Sequence, residues 1–338
     1  MQVNMLTDQE YERALASFGG DAPIEQLPVW QRFEATIPGR TPWGQVGIEE
    51  GGELVAVVAF VEFETHGYRF LRARHAPVWR HEPTAAEERA ALEALAAFVR
   101  SRDRRQVFLR LAVREESDLT RPCLSTLPYD ATVVIDVTGT EEDILARMKP
   151  RGRRDVRKAL RECELSFADE TALAAEDFGP YYEVMLETAA RDGFSASPVS
   201  LYRDMLRVLG PDHCRLFAGR DGDEVITWTI ATISGRHATR YYGASRTGSA
   251  RALATDRLIF FECCELGRAG IVEYDQMGIG SDFAPSMLSL NTFKTKFAKD
   301  GVRAVAPDRD VPVKRAFYGA LVRAKRLRDG LRSSRKEA

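Results

Sequence analysis

The stretch Leu216–Ser245, LFAGRDGDEVITWTIATISGRHATRYYGAS, decides the fold. Its β-branched and apolar runs break at Asp221-Gly222 and again at Gly235, which reads as strand, turn, long strand, turn, strand. Val46–His75, VGIEEGGELVAVVAFVEFETHGYRFLRARH, repeats that reading, with turns at Gly51-Gly52 and Gly67. Each meander precedes an amphipathic helix and a further strand: Thr84–Arg102 and Gln106–Val113 after the first, Ala254–Gly270 and Ile271–Gly278 after the second. Thr84 with Glu87 makes a capping box for one helix, and Gly270 is a stop signal for the other. The spacing predicts a duplicated α/β unit, each copy a mixed, mostly antiparallel sheet flanked by helices. The competing reading is one large α+β domain with chance similarity. On the duplicated reading, a first domain over 1–147 is completed by a C-terminal basic helix over 314–338, and a second domain covers 148–313.

Between the meanders, Asp130–Val137 reads as a strand. Thr140 caps a helix whose first turn carries Glu141, Glu142 and Asp143, matching the positive end of the helix dipole. Pro150 and Gly152 are expected to interrupt it, and Arg153–Arg161 to begin another helix. Ser197 as N-cap and Pro198 at the first helical position open a helix that stops at Gly210. Trp228, on the long strand of the second meander, is assigned to the core.

The chain of 338 residues is 44% hydrophobic and 29% charged, ample for packed cores. No apolar run approaches the roughly 18–20 residues of a membrane span. The first residues, MQVNMLTDQEYERAL, lack the basic and apolar regions of a signal peptide. The five cysteines, Cys123, Cys163, Cys214, Cys263 and Cys264, include no C-x-x-C pair. Reduced thiols and a cytoplasmic location are therefore expected. The histidines show no metal-binding spacing, and no metal or other cofactor is expected.

Positive charge is concentrated in one segment. Arg147–Arg161, RMKPRGRRDVRKALR, holds eight Lys or Arg and one acid, Asp155, in a chain of net charge −2. Arg153, Arg154, Arg157 and Lys158 recur at i, i+1, i+4 and i+5, one face of a helix. With Lys149 they form a candidate phosphate-binding group, for tRNA or a sugar diphosphate. The competing reading is a solvated face paired with Glu162 and Glu164. Tyr241 and Tyr242 are neighbours on a strand and are expected on opposite faces.

Several segments, in order, resemble the FemABX family of aminoacyl-tRNA-dependent aminoacyltransferases. They are TVVIDVTGTEEDILARMKPRGRRDVRKA, RYYGAS (Arg240–Ser245), GIVEYDQMGIG and FKTKFAKDG (Phe293–Gly301). The resemblance implies two tandem GNAT-like (acetyltransferase-like) domains, an α/β (α+β) fold, here without the coiled-coil arm of some members. It implies aminoacyl-tRNA as donor and an amine-bearing acceptor, either a peptidoglycan precursor or a natural product. The oligomeric state is left open. By the same resemblance Lys294 is the catalytic cation beside a tetrahedral oxyanion, against the alternative of a solvated lysine. Lys296, Phe293, Tyr242, Tyr202, Asp275 and Trp30 line the substrate site, although Asp275 also suits a strand-end turn. Two positions depart from the members that use UDP-MurNAc-pentapeptide. Glu34 stands four residues after Trp30 and Pro198 four before Tyr202, where those members carry cations.

Two other functions remain open on the sequence. An acetyl-CoA-dependent N-acyltransferase needs a Q/R-x-x-G-x-G/A loop between strand and helix. SRTGSA (Ser245–Ala250) is the nearest match, with Ser in the first place. A non-catalytic nucleic-acid-binding protein accounts for the basic segments but leaves FKTKF without a role.

Overall fold

The computed structural model describes residues 1–124, 126–249 and 253–334. The chain divides into two units, Met1–Pro128 with Ala306–Ala338, and Tyr129–Val305.

The first unit opens with β1 (Gln2–Leu6), α1 (Asp8–Ser17) and α2 (Pro28–Glu34). The meander follows as β2 (Arg40–Glu50), β3 (Glu53–Thr65) and β4 (Tyr68–Arg72), then the short β5 (Val78–Trp79), α3 (Ala85–Arg102) and β6 (Gln106–Ala112). β3 explains the layering. Ala56–Val61 are all buried, because both faces of the strand are covered. Ala56, Val58 and Phe60 point into a core with Leu92, Leu95 and Val99 of α3. Val57 and Ala59, one residue out of phase, meet Tyr11 and Leu15 of α1. The capping box at Thr84 and Glu87 is present. β4 pairs in parallel with β6, the crossover being α3.

The second unit repeats the plan. It runs β7 (Ala131–Asp136), α4 (Glu141–Arg147), α5 (Pro150–Glu162), β8 (Ser166–Asp169), α6 (Thr171–Glu176), α7 (Gly179–Asp192) and α8 (Val199–Leu209). The second meander is β9 (Cys214–Asp221), β10 (Glu224–Ser234) and β11 (His237–Ser245), followed by α9 (Ala254–Arg268), β12 (Glu273–Gly278), α10 (Leu288–Lys294) and β13 (Val302–Ala304). The sheet order is β13-β7-β12-β11-β10-β9-β8. Again the last meander strand, β11, pairs in parallel with the strand after the helix, β12. Thr140 and Asp143 form the expected cap of α4, and Gly270 follows α9 with φ 88°. Trp228 is fully buried, its indole N–H donating to the Tyr181 carbonyl at 2.8 Å. α8 begins one residue later than expected, with Pro198 as its N-cap.

The chain then returns to the first unit through β14 (Asp308–Pro312) and α11 (Arg315–Ser334). β14 pairs antiparallel with β6, giving the order β1-β2-β3-β4-β6-β14. Asp310 of β14 is fully buried and clasps Arg110 of β6 at 2.7 and 3.0 Å. The division between units thus falls at residues 128 and 305, not at 147 and 313. Residues 131–136 pair with β12 and β13, and 308–312 with β6, so strand pairing carries both segments across the expected limits. The helix expected over 314–338 is described to Ser334; residues 335–338, and Ala250 of SRTGSA, lie outside the described residues.

Gly152 does not interrupt a helix. The break is at Met148-Lys149, and α5 starts at Pro150, so Gly152 sits in its first turn. A Cβ there would lie 2.1 Å from the backbone oxygen of Lys296, which also accepts the Lys149 N–H at 3.1 Å. Glycine is the residue that lets the start of α5 rest on the FKTKF segment.

Candidate active site

The second sheet forks. β11 and β12 pair over His237–Thr239 and Glu273–Asp275, and no further pair joins them among the described residues. β11 continues against β10, while β12 bulges against β7 between Asp275 and Gly278. Within that bulge Met277 takes φ 60°, a conformation costing a non-glycine residue about 1–3 kcal/mol. Asp275 holds it there: its Oδ1 accepts the Met277 N–H at 2.6 Å and the Thr132 hydroxyl. Of the two roles open to Asp275 on the sequence, this geometry displays that of the turn former.

Lys294 stands at the fork. Asn291 clamps α10 to the loop after β12 through both ends of its amide, accepting from Gly280 N at 2.7 Å and donating to Gly280 O at 2.8 Å. A Cβ on Gly280 would lie 2.2 Å from the Leu288 nitrogen, so glycine permits this approach. One helical turn beyond Asn291, Lys294 Nζ donates to the Gly278 carbonyl at 2.7 Å, with Met277 O at 3.4 Å. Burial, reinforced by the Arg240 cation and opposed by Asp275, brings the Lys294 ammonium down to about 8.

Arg240 escaped the sequence reading. On β11 it donates to Thr229 Oγ1 at 2.8 Å, and its Nε lies 3.5 Å from Glu262 Oε2. Glu262 is fully buried and accepts the Tyr274 hydroxyl at 2.7 Å. The only signal available was its place in the RYYGAS strand, between Thr239 and Tyr241.

Tyr241 and Tyr242 are not on opposite faces as expected. The pairing shifts where Ile230 opposes Tyr242 and Ala231 opposes Arg240, so Tyr241 is an extra, bulged residue. The two rings meet edge to face with centroids 5.3 Å apart. Tyr242 also meets Tyr202 at 5.1 Å. Tyr202 is 2% exposed, stacks on Phe178 at 5.3 Å and accepts the Ser197 N–H at 3.3 Å. It supports the half-buried Tyr242 from the core.

Lys296 is built into the interior. Its Nζ contacts Asp256 of α9 and lies 3.3 Å from Asp155 of α5, between the rings of Phe293 and Phe297, each 5.1 Å away. Burial raises the Asp256 carboxyl against the opposing pull of Lys296. This ion cluster ties α5 and α9 to the segment that carries Lys294.

The basic group is partly as expected. Arg154, Arg157 and Lys158 are exposed on α5, with loose contacts to Asp155, Glu142 and Glu162 at 3.5, 3.3 and 3.6 Å. Arg151 and Arg161 share that exposure, and Lys149 is half-buried at the N-cap. Arg153 instead turns back to donate to the Ala146 and Met148 carbonyls, both at 3.0 Å, closing the end of α4.

In the first unit Trp30 is 3% exposed and donates to Glu34 Oε1 at 3.0 Å. Glu34, 2% exposed, is also paired with Arg40 at 2.7 Å. The carboxylate that stands where the members that use UDP-MurNAc-pentapeptide carry a cation is therefore buried and paired. Among the described residues no group of His, Cys, Asp and Glu is placed to hold a metal ion, and the cysteines are free thiols.

Residues 149–284 match the family model of an acetyltransferase (GNAT) domain. No curated protein matches the chain. Among solved structures the chain is similar to FemX, with a TM-score of 0.71 at 14% identity over 95% of this chain and 99% of that one. A tandem GNAT protein from the clavulanic acid biosynthesis pathway gives 0.54 at 13% identity, over 92% and 98%. L-PGS from Bacillus licheniformis gives 0.53 at 12%, over 96% and 98%. At these identities the likeness is one of fold. The matched residues lie in the second unit, and the duplicated plan has the fold of two GNAT-like domains.

Proposed function

Starting from a chain with the FemX-like tandem GNAT fold, we propose that it transfers an aminoacyl group from a charged tRNA to an amine, at the fork between β11 and β12. The observation that carries this reading is Lys294, a half-buried cation anchored on the Gly278 carbonyl where the two strands part. The acceptor amine attacks the ester carbonyl carbon, and a C–N bond forms. The oxyanion that develops is met by the Lys294 ammonium, which has donors beyond the one given to Gly278. Collapse breaks the C–O bond, and the amine proton leaves on the tRNA hydroxyl. The ester is already activated, so alignment and one well-placed cation are the main demands. The acceptor is an amine-bearing cell-wall precursor or natural product.

The pH profile distinguishes this role from that of a general base. An ammonium that titrates near 8 is present below that pH and lost above it. The single-turnover rate at saturating acceptor is therefore expected to fall as pH rises through about 8. Lys294→Arg, which keeps its charge, shifts that falling limb beyond the measured range. A rate that keeps rising through pH 8 in the native enzyme assigns Lys294 to proton abstraction instead.

The exposed cations of α5 fit the phosphates of the donor. Affinity for tRNA should fall steeply with salt, and Arg154→Ala with Lys158→Ala should reduce the log–log salt slope by roughly one per lost contact. Filter binding across a salt series measures this, and an unchanged slope removes α5 from the tRNA surface.

One feature favours a second reading, acetyl-CoA as donor. SRTGSA lies between β11 and α9, the strand-to-helix position that a pyrophosphate loop requires, and the matching family model is that of an acetyltransferase. The choice of donor is therefore the decisive experiment.

A further inference from the structure

α11 has two apolar faces. Tyr318, Leu321 and Val322 pack onto Phe70, Val107 and Phe108 of the first sheet. Ala316, Phe317, Ala320, Ala324 and Leu327 recur at intervals of three and four, one stripe of the helix. All five are exposed, Phe317 by 47% and Leu327 by 72%. At about 100° per residue this stripe is rotated away from the packed face and lies between Arg323 on one edge and Arg328 on the other. Arg315 and Arg326 are exposed further round. Beside the stripe, α11 and the β3–β4 turn enclose a groove of about 270 Å³, with Tyr68, Leu124 and Leu321 among its apolar lining and Lys325 and Arg328 as cations.

An apolar stripe of this kind on a soluble surface marks a contact. A second copy laid on it would bring Arg323 and Arg328 against their own kind, and an RNA backbone has no use for the apolar residues. An anionic bilayer matches both features: the stripe enters the boundary of the acyl chains while the arginines meet lipid phosphates. No described helix is long and apolar enough to cross a membrane, so the helix lies along the surface. We infer that α11 docks the first unit in the plane of an anionic membrane. The inference is independent of which donor the enzyme uses.

The test is co-sedimentation of the full chain with phosphatidylcholine vesicles, with and without phosphatidylglycerol. Binding is expected only to the anionic vesicles and is expected to weaken with salt. Leu327→Glu and Phe317→Glu should each lower the partition coefficient about tenfold, with the melting temperature unchanged because both side chains are already exposed. Arg323→Glu with Arg328→Glu should abolish the preference for anionic lipid. Absence of binding, equal binding to neutral vesicles, or variants that bind like the native chain would overturn the inference. So would light scattering that shows a dimer dissociated by Leu327→Glu, which assigns the stripe to a second copy, or tRNA affinity that falls with Leu327→Glu.

Discussion

Lys294→Met is expected to lower the single-turnover rate by about 10²–10³ while leaving tRNA affinity within about twofold. The side chain is held from two directions, by α10 through the Asn291 clamp on Gly280 and by the Gly278 carbonyl. It therefore reaches the fork without reorganising during the reaction, the condition under which one donor contributes about 3–4 kcal/mol to a transition state. Methionine keeps much of the volume and removes the charge. Lys296→Met should behave differently. Lys296 pairs with Asp155 and Asp256, and its loss leaves the buried Asp256 carboxylate without its ion-pair partner, while Asp155 keeps Arg151 and Arg154 at 3.7 and 3.5 Å. The expected result is about 3–5 kcal/mol of destabilisation, read as a lowered melting temperature. A Lys294→Met enzyme that keeps its rate and loses donor affinity would make Lys294 a phosphate contact.

Asp310→Ala is expected to destabilise the first unit by about 3–5 kcal/mol. Asp310 has no exposed surface and accepts from Arg110 at 2.7 and 3.0 Å, from Leu124 N at 3.0 Å and from the Tyr318 hydroxyl at 3.0 Å. Those donors belong to β6, to the segment after it and to α11, so one carboxylate fastens the returning chain to the sheet. Arg110 is 1% exposed between Phe70 and Phe108, where an unpaired guanidinium has no water to turn to. Urea unfolding of the variant measures the loss. Arg110→Met combined with Asp310→Leu should recover most of it, since the larger part of the cost is the charge left behind. A loss below about 1 kcal/mol for Asp310→Ala would show that water reaches the pair.

The parts of this architecture that were legible in the sequence are those that local rules control. Turn glycines and alternating β-branched runs marked both meanders, and the caps at Thr84 and Thr140 follow from residues three apart. What was not legible depends on partners distant in sequence. Asp155, Asp256 and Lys296 form one ion cluster across more than a hundred residues, so Lys296 read as a substrate contact. Arg153 carries the same charge as its neighbours, but the end of α4 claims it. The bulge at Tyr241 is a register shift against β10, and composition alone does not reveal it. The expected domain limits failed for the same reason, because β7 and β14 are assigned by the strands they pair with. Glu34 stands out in the sequence only as a missing cation, and its enclosure by Trp30 and Arg40 depends on the folded chain.

The most direct measurement is donor consumption. The purified protein is incubated with a mixture of charged tRNAs, and separately with acetyl-CoA, each with a panel of amine acceptors that includes UDP-MurNAc-pentapeptide. The expected result is acceptor-dependent discharge of aminoacyl-tRNA with formation of an amide, slowed about 10²–10³-fold in Lys294→Met, and no consumption of acetyl-CoA. Acceptor-dependent release of free coenzyme A with the charged tRNAs untouched would contradict it.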